Sequence, residues 1–253
     1  MKILISPAKS LNFEKFPNDY AKTDIKFKDE AWQIAKVLKD LSPKELSELM
    51  NISDKLSELN WGRNQEYIKD FVEENTKQAL FAFDGDVYSG IDAKSLNSSQ
   101  ISYLQNNLRI LSGQYGILRP LDMIMPYRLE MGTKLSVSGS KNLYDFWGST
   151  ITEELNSELK KDDVIINLAS NEYFKSVDKK MLKAEIVTPV FKDYKNGKLK
   201  TISFFAKKAR GMMVRYLAER EIDKNLENIK AFDYGGYRYD SVISDEKTFI
   251  FTR

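Results

Sequence analysis

Val164-Ile-Ile-Asn-Leu168 is a short, nearly continuous apolar run. Such a run is typical of a central strand that is buried on both faces, as in the parallel sheets of α/β proteins. Lys2–Ile5 and Leu108–Leu111 are two further strand-like runs. Helical patterns lie between these strands along the chain, so the fold class is α/β or α+β.

The rest of the chain adds a hairpin and several helices. Asn196-Gly197, between strand-like Glu185–Tyr194 and Lys198–Phe205, is the strongest short hairpin signal and makes us expect a mixed sheet. Residues 78–83 and 87–91 are predicted as strand and loop, and residues 248–251 as a strand. The apolar periodicity predicts helices over Asp29–Leu41, Ser98–Asn107, Asn142–Lys160 and Ala206–Arg220.

The composition points to one folded domain. Hydrophobic residues make up 42% of the 253 residues, enough to bury a sizeable core. There is no low-complexity run, internal repeat or Gly/Ser linker. We therefore expect a single compact domain over residues 1–253, with a mixed sheet and surrounding helices.

The absence of two residue types excludes several kinds of chemistry. The chain has no Cys and no His, which removes thiol nucleophiles, Ser-His dyads, zinc fingers and disulfides. Any general base would be a carboxylate, Lys or Tyr. We expect no metal site and no cofactor.

Charge and hydropathy bear on location and partners. The formal charge is +2 with a pI near 8.4, so a polyanion would need Lys and Arg gathered on one surface. The chain starts with a strand-like segment and has no apolar leader or bilayer-length apolar run. We expect a cytoplasmic protein without a membrane partner.

Residues 42–59 contain two short helices joined by a tight turn. Ser42-Pro-Lys-Glu45 is a capping box that begins the first helix, and Asn51-Ile52-Ser-Asp54 interrupts the apolar pattern. This resembles a helix-hairpin-helix, which can present backbone N–H groups to a phosphate, and Lys44 and Lys55 flank the turn. An ordinary helical corner is the alternative.

The loop over residues 111–132 is irregular and rich in Gly, Pro and charged residues, and it leaves a buried strand. If the three strands are parallel neighbours, their carboxyl ends share one rim, where α/β proteins bind ligands. That rim would hold Ser6, Lys9, Ser112, Tyr115, Ser170, Asn171 and Glu172. The alternative is that the serines only cap turns and helices.

Arginines in this loop are candidates for holding an anion. Guanidinium groups bind phosphate or carboxylate through two parallel hydrogen bonds, which suits Arg119 and Arg128. Arg128 could equally form a plain ion pair with Glu130. Lys175 ends the segment that follows the strand-like run Val164–Leu168, and it is the last residue of the predicted cleft.

The last long helix is predicted to separate its charges. Lys207, Lys208 and Arg215 fall on one arc that also holds Gly211, opposite an apolar face. A glycine inside a helix costs roughly 1 kcal/mol, which indicates close approach of another group there. A phosphate backbone would fit, and helix packing is the alternative.

Five motifs together resemble the bacterial peroxide stress protein YaaA family. The resemblance runs from Met1 to the C-terminal strand. It is carried by Ile5–Leu11, Gly85–Gly90, Leu111–Gly116 through Pro126–Gly132, Asn167–Lys175 and Ile202–Gly211.

The resemblance implies a cytoplasmic protein that limits free iron, and so oxidative damage, under peroxide stress. It also implies a mixed α/β fold, a positively charged cleft and binding of double-stranded DNA, and we expect a monomer. The helix-hairpin-helix matches residues 42–59. The DNA-binding residues implied here are Lys44, Asn51, Lys55, Lys207, Lys208, Arg210 and Arg215.

Two other functions stay open. One is an enzyme that acts on a nucleotide-like ligand or a flipped base, with Glu130 or Glu172 as acid/base and Arg128 or Lys9 as anion clamp. The family resemblance transfers no catalytic residue, so enzyme activity is left undecided. Direct iron sequestration by carboxylates is the other, and it is disfavoured because selective iron sites usually include imidazole or thiolate.

Overall fold

The computed structural model describes residues 1–16 and 18–253. The strands are β1 Lys2–Ile5, β2 Ser10–Leu11, β3 Lys77–Gln78, β4 Phe83–Asp84, β5 Leu108–Ser112, β6 Gly116–Leu118, β7 Met123–Ile124, β8 Val164–Asn167, β9 Glu185–Lys195, β10 Lys198–Lys200, β11 Arg238–Tyr239 and β12 Thr248–Thr252. The helices are α1 Lys28–Lys39, α2 Pro43–Met50, α3 Asp54–Glu66, α4 Ala79–Ala82, α5 Asp86–Ile91, α6 Ser98–Asn107, α7 Leu143–Trp147, α8 Thr150–Glu158, α9 Asn171–Phe174, α10 Ser203–Glu219 and α11 Leu226–Lys230.

An eight-stranded mixed sheet forms the centre of the fold. Its order is β11-β12-β9-β8-β1-β5-β6, and β10 pairs with β9. The central strands β9, β8, β1 and β5 are mutually parallel, whereas β6, β10 and β11 are antiparallel to their partners. The predicted mixed α/β class is confirmed.

Strands β1 and β8 are buried, and most of their side chains are apolar. All four residues of β1 and all four of β8 are buried, as strands covered by helices on both faces require. Helices and sheet share one hydrophobic core. Among the residues described, no helix is long and apolar enough to cross a membrane.

The capping box at Ser42 is confirmed. Ser42 Oγ accepts a hydrogen bond from the Glu45 backbone N–H, and Glu45 Oε2 accepts one from the Ser42 backbone N–H at 2.8 Å. These reciprocal bonds satisfy two N–H groups that the helix itself leaves without partners. The start of α2 is therefore fixed locally by sequence.

Four predicted elements are wrong in extent or type. Residues 79–82 and 86–91 form the short helices α4 and α5, where strand and loop were expected. The single helix predicted over 142–160 is two helices, because Gly148 at φ +45° ends α7. The strand expected to reach Phe205 ends at Lys200, and α10 begins at Ser203.

Candidate functional site

The carboxyl ends of β8, β1 and β5 lie side by side, as the sequence predicts. Ser6 follows β1 and Ser170 follows β8. The Ser170 backbone N–H donates to Ser6 Oγ at 2.9 Å, and the Ser6 hydroxyl donates to Ser170 Oγ at 3.3 Å. These bonds hold the two strand-end segments together, so both serines serve the fold at this rim.

Lys9, Arg128 and Glu130 meet at this rim, and we call them the Glu130 cluster. Lys9 Nζ lies 2.7 Å from Glu130 Oε2, and Arg128 Nη2 lies 3.4 Å from Glu130 Oε1. The three side chains line a small cavity together with Tyr127 and Tyr173. One carboxylate thus lies between two cations over an aromatic wall.

Ser112 and Tyr115 are fully buried, so their predicted place in an open cleft is wrong. Ser112 Oγ lies 2.8 Å from the Tyr127 hydroxyl and accepts a hydrogen bond from the Tyr115 backbone N–H at 3.1 Å. Burial raises the pKa of Tyr115 and of Tyr127, so both phenols stay protonated. Ser112 therefore fixes the position of the Tyr127 hydroxyl in the core.

Arg63 of α3 is a further partly buried guanidinium, and it was not predicted from the sequence. Burial and the charge of Arg128 lower the pKa of Arg63. Its hydrogen bond goes to Asn60 Oδ1 at 3.1 Å. One signal in the sequence could have found it: α3 has polar residues where a core-facing helix has apolar ones, and it buries Ser57, Asn60 and Asn64.

Glu172 holds the end of the 111–132 loop. Its Oε1 accepts the Gly132 backbone N–H at 3.0 Å, and its carbonyl oxygen accepts the Tyr144 hydroxyl at 2.9 Å. Asn171 and Lys175 line a separate open cleft of about 630 Å³ beside Tyr144, with Lys175 Nζ 4.9 Å from the tyrosine ring centre. Lys9 and Arg128 therefore line one concavity, and Asn171 and Lys175 line another.

Arg119 lies toward the amino ends of the parallel strands, away from the predicted cleft, so its predicted place in the cleft is wrong. The β5–β6 hairpin returns the chain toward the amino ends of the parallel strands, with Ile110 opposite Leu118. Arg119 Nη2 there pairs with Asp122 Oδ1 at 2.9 Å. The position of Arg119 was predicted wrongly because the pairing of β6 with β5 decides which end of the strands this part of the loop reaches.

The two helices of the predicted helix-hairpin-helix are present. Asn51 ends α2 in the left-handed conformation at φ +50°, and the backbone N–H groups of Asn51 and Ile52 both donate to the Ser47 carbonyl oxygen. Lys44 and Lys55 are exposed on either side of the turn. Phosphate binding by this corner stays a prediction.

Helix α3 turns polar side chains toward the core. It buries Ser57, Asn60 and Asn64, whereas Leu56 is 37% exposed and Leu59 is 50% exposed. These leucines therefore lie at the surface beside the turn.

The N-terminal half of α10 has the expected basic surface. Lys207 and Lys208 are exposed, whereas Ala206 and Ala209 are buried. Arg210 is half-buried, and burial lowers the pKa of its guanidinium. These three cations lie along one turn of the helix.

Arg215 and Gly211 have structural partners. Arg215 donates to Glu219 Oε1 at 2.7 Å, to the Ile91 carbonyl oxygen at 3.1 Å and to Ser95 Oγ at 2.7 Å. Helix α5 packs directly on Gly211. The helix-packing alternative for Gly211 is therefore confirmed, and the close neighbour is protein main chain.

Carboxylates do not cluster in a way that suits a metal ion. Within residues 1–16 and 18–253, no three Asp or Glu side chains lie close enough to hold one. Glu130 lies between cations, and Glu172 accepts a backbone N–H. The two candidate acid/base residues, Glu130 and Glu172, therefore have different partners.

Comparison with known proteins gives matches along the whole chain. The family model described as peroxide stress protein YaaA matches residues 1–242. A UPF0246 protein of Flavobacterium johnsoniae is 55% identical over 253 residues, covering all of both chains. A UPF0246 protein of Shewanella sp. strain ANA-3 is 50% identical and covers 99% of this chain and 98% of its own.

Proposed function

Because the chain belongs to the peroxide stress protein YaaA family, we propose that it is a cytoplasmic stress protein that binds double-stranded DNA and limits iron-dependent oxidative damage. The observation that carries the DNA proposal is the α2–α3 corner. Its left-handed Asn51 lets two helices meet in a tight turn between exposed Lys44 and Lys55.

The first turn of α3 adds donors to this corner. The N-cap residue Ser53 makes no side-chain hydrogen bond to it, so N–H groups at the start of α3 are available to a phosphate. Exposed Lys207 and Lys208 on α10 supply a second basic patch. Each phosphate contact contributes affinity without reading base sequence.

Salt dependence tests duplex binding directly. We expect binding of a duplex to weaken steeply with salt, and each lost phosphate contact lowers the slope by about one. The double variants Lys44→Gln/Lys55→Gln and Lys207→Ala/Lys208→Ala should lower both the affinity and the slope. Lys198→Ala/Lys200→Ala, with the same charge change on exposed β10 residues, is the matched control.

The cellular part of the proposal needs its own measurement. In a strain that lacks this protein, the wild-type chain should restore survival in hydrogen peroxide and lower chelatable iron. The variant that loses duplex binding should restore neither. Equal rescue by that variant would separate DNA binding from peroxide protection and contradict the proposal.

A second candidate is an enzyme that acts on a nucleotide or a flipped base. The observation that favours it is the meeting of Lys9, Arg128 and Glu130 at the carboxyl ends of parallel strands, where α/β proteins carry out chemistry. A product formed from nucleotides or damaged oligonucleotides, and lost in Glu130→Gln, would support it. Unchanged substrates across such a panel would exclude it.

A further inference from the structure

Arg128 has hydrogen-bond donors that the protein leaves unused. Its side chain is only 15% exposed, and its Nε is buried without a partner within residues 1–16 and 18–253. Its contact with Glu130, at 3.4 Å, is at the long limit of a hydrogen bond. Because a buried donor without a partner is costly, this guanidinium is set up to receive another acceptor.

The charge around Arg128 is also unbalanced. Lys9 Nζ lies 2.7 Å from Glu130 Oε2 and Arg128 Nη2 lies 3.4 Å from Glu130 Oε1, so the two cations share one carboxylate. Such an arrangement is stabilised by a further negative charge.

The size of the site shows what must move. The cavity of the Glu130 cluster measures about 10 Å³, room for about one water molecule. The Glu130 side chain is 24% exposed and lies directly between Lys9 and Arg128. A larger anion can enter only where the carboxylate now lies, and the exposed side of Glu130 gives it a way into solvent.

We propose that Arg128, with Lys9, binds a phosphate monoester that takes the place of the Glu130 carboxylate. A carboxylate carries one charge and two acceptor oxygens, whereas a phosphate monoester carries close to two charges and three acceptors. It can therefore satisfy the unused Arg128 Nε while it bridges to Lys9. The proposal is independent of duplex binding, because its ligand is a terminal phosphate and not the continuous DNA backbone.

Binding of inorganic phosphate to the full chain, measured by calorimetry at constant ionic strength, is the direct test. Glu130→Gln should bind phosphate about tenfold tighter, because no carboxylate competes for the cations. Arg128→Gln should bind it about tenfold weaker, because the paired donors are lost. Arg119→Gln is the matched control, since that arginine pairs with Asp122 toward the amino ends of the parallel strands, and it should leave affinity unchanged.

Equal phosphate affinity in the wild type, Glu130→Gln and Arg128→Gln would overturn the proposal. If Arg128→Gln does not fold, Lys9→Gln takes its place, and it must weaken binding while Glu130→Gln tightens it. A loss of equal size in Arg119→Gln would show nonspecific attraction and would also overturn the proposal.

A second comparison identifies where the phosphate comes from. A nucleoside 5′-monophosphate is compared with its nucleoside, and a 5′-phosphorylated DNA hairpin with the unphosphorylated one. A preference for the nucleotide alone supports the site with a small-molecule ligand, and a preference for the phosphorylated hairpin supports it with a strand end. If the 5′-phosphate adds affinity in neither pair, the proposal fails.

Discussion

Gly90 of α5 and Gly211 of α10 lie against each other where the two helices cross. A Cβ on Gly211 would overlap the Val87 carbonyl oxygen and lie 2.9 Å from Gly90 Cα. A Cβ on Gly90 would overlap the Lys208 carbonyl oxygen and lie 3.0 Å from Gly211 Cα. The main chains therefore approach so closely that neither position has room for a side chain.

Gly211→Ala should destabilise the protein, by about 1–3 kcal/mol or more, because rigid backbone surrounds the added methyl group. Gly62→Ala in α3 is the control, since no atom lies within 4 Å of its Cβ position. That change should raise stability by about 0.4–1 kcal/mol. Urea unfolding measures both, and equal effects would contradict the close crossing.

Arg215→Lys should lower stability while leaving duplex affinity almost unchanged. The guanidinium donates from Nε to Glu219 and from Nη1 to Ile91 and Ser95, and the single nitrogen of an ammonium group cannot replace both donor positions. We expect a loss of about 1–3 kcal/mol in urea unfolding. A large fall in duplex affinity without loss of stability would instead show that this arginine contacts DNA.

Asn51→Gly should keep the α2–α3 corner, and Asn51→Ala should weaken it by about 1–2 kcal/mol, because only Gly, Asn and Asp adopt left-handed geometry readily. Asn51 lies at φ +50°. Thermal unfolding compares the two variants. If duplex binding uses this corner, affinity should follow the same order, whereas a backbone that tolerates alanine here would contradict both expectations.

The lowered pKa of Glu158 predicts how the stability of the protein changes in acid. Burial acts to raise its pKa, but the hydrogen bonds and charges of Arg109 and Lys2 outweigh burial and lower the pKa below 4.5. The stabilisation is therefore complete above pH 4.5 and is lost as pH falls through the lowered pKa. Urea unfolding across pH should show this loss in the wild type and a smaller one in Glu158→Gln. Glu246→Gln, at an exposed position, should follow the wild type.

The fold was predictable wherever the sequence pattern was local. The apolar run at Val164 marked a buried strand, and Ser42 with Glu45 marked the start of a helix. The break at Gly148 was missed, because the apolar period continues on both sides of a single left-handed residue. Helix α5 was missed because six residues are too few to show a helical period.

The site was predictable only in part, because it depends on tertiary packing. The ends of β1 and β8 meet, so Ser6 and Ser170 could be placed together once parallel neighbours were assumed. Arg63 was missed because the polar pattern of α3 was not taken as a buried face, and the packing of α3 depends on contacts distant in sequence. Arg119 was misplaced because the pattern does not fix hairpin register.

The position of β1 between β5 and β8 has a consequence for how this protein folds. Ile3 pairs with Leu108 on one side and with Ile166 on the other, so the centre of the sheet closes loops of more than a hundred residues. Such contacts slow folding, because chain entropy is lost before any pairing compensates for it. During synthesis one edge of β1 has no partner until β5 has left the ribosome, and the other has none until β8 has, so chaperone demand should be highest in that interval.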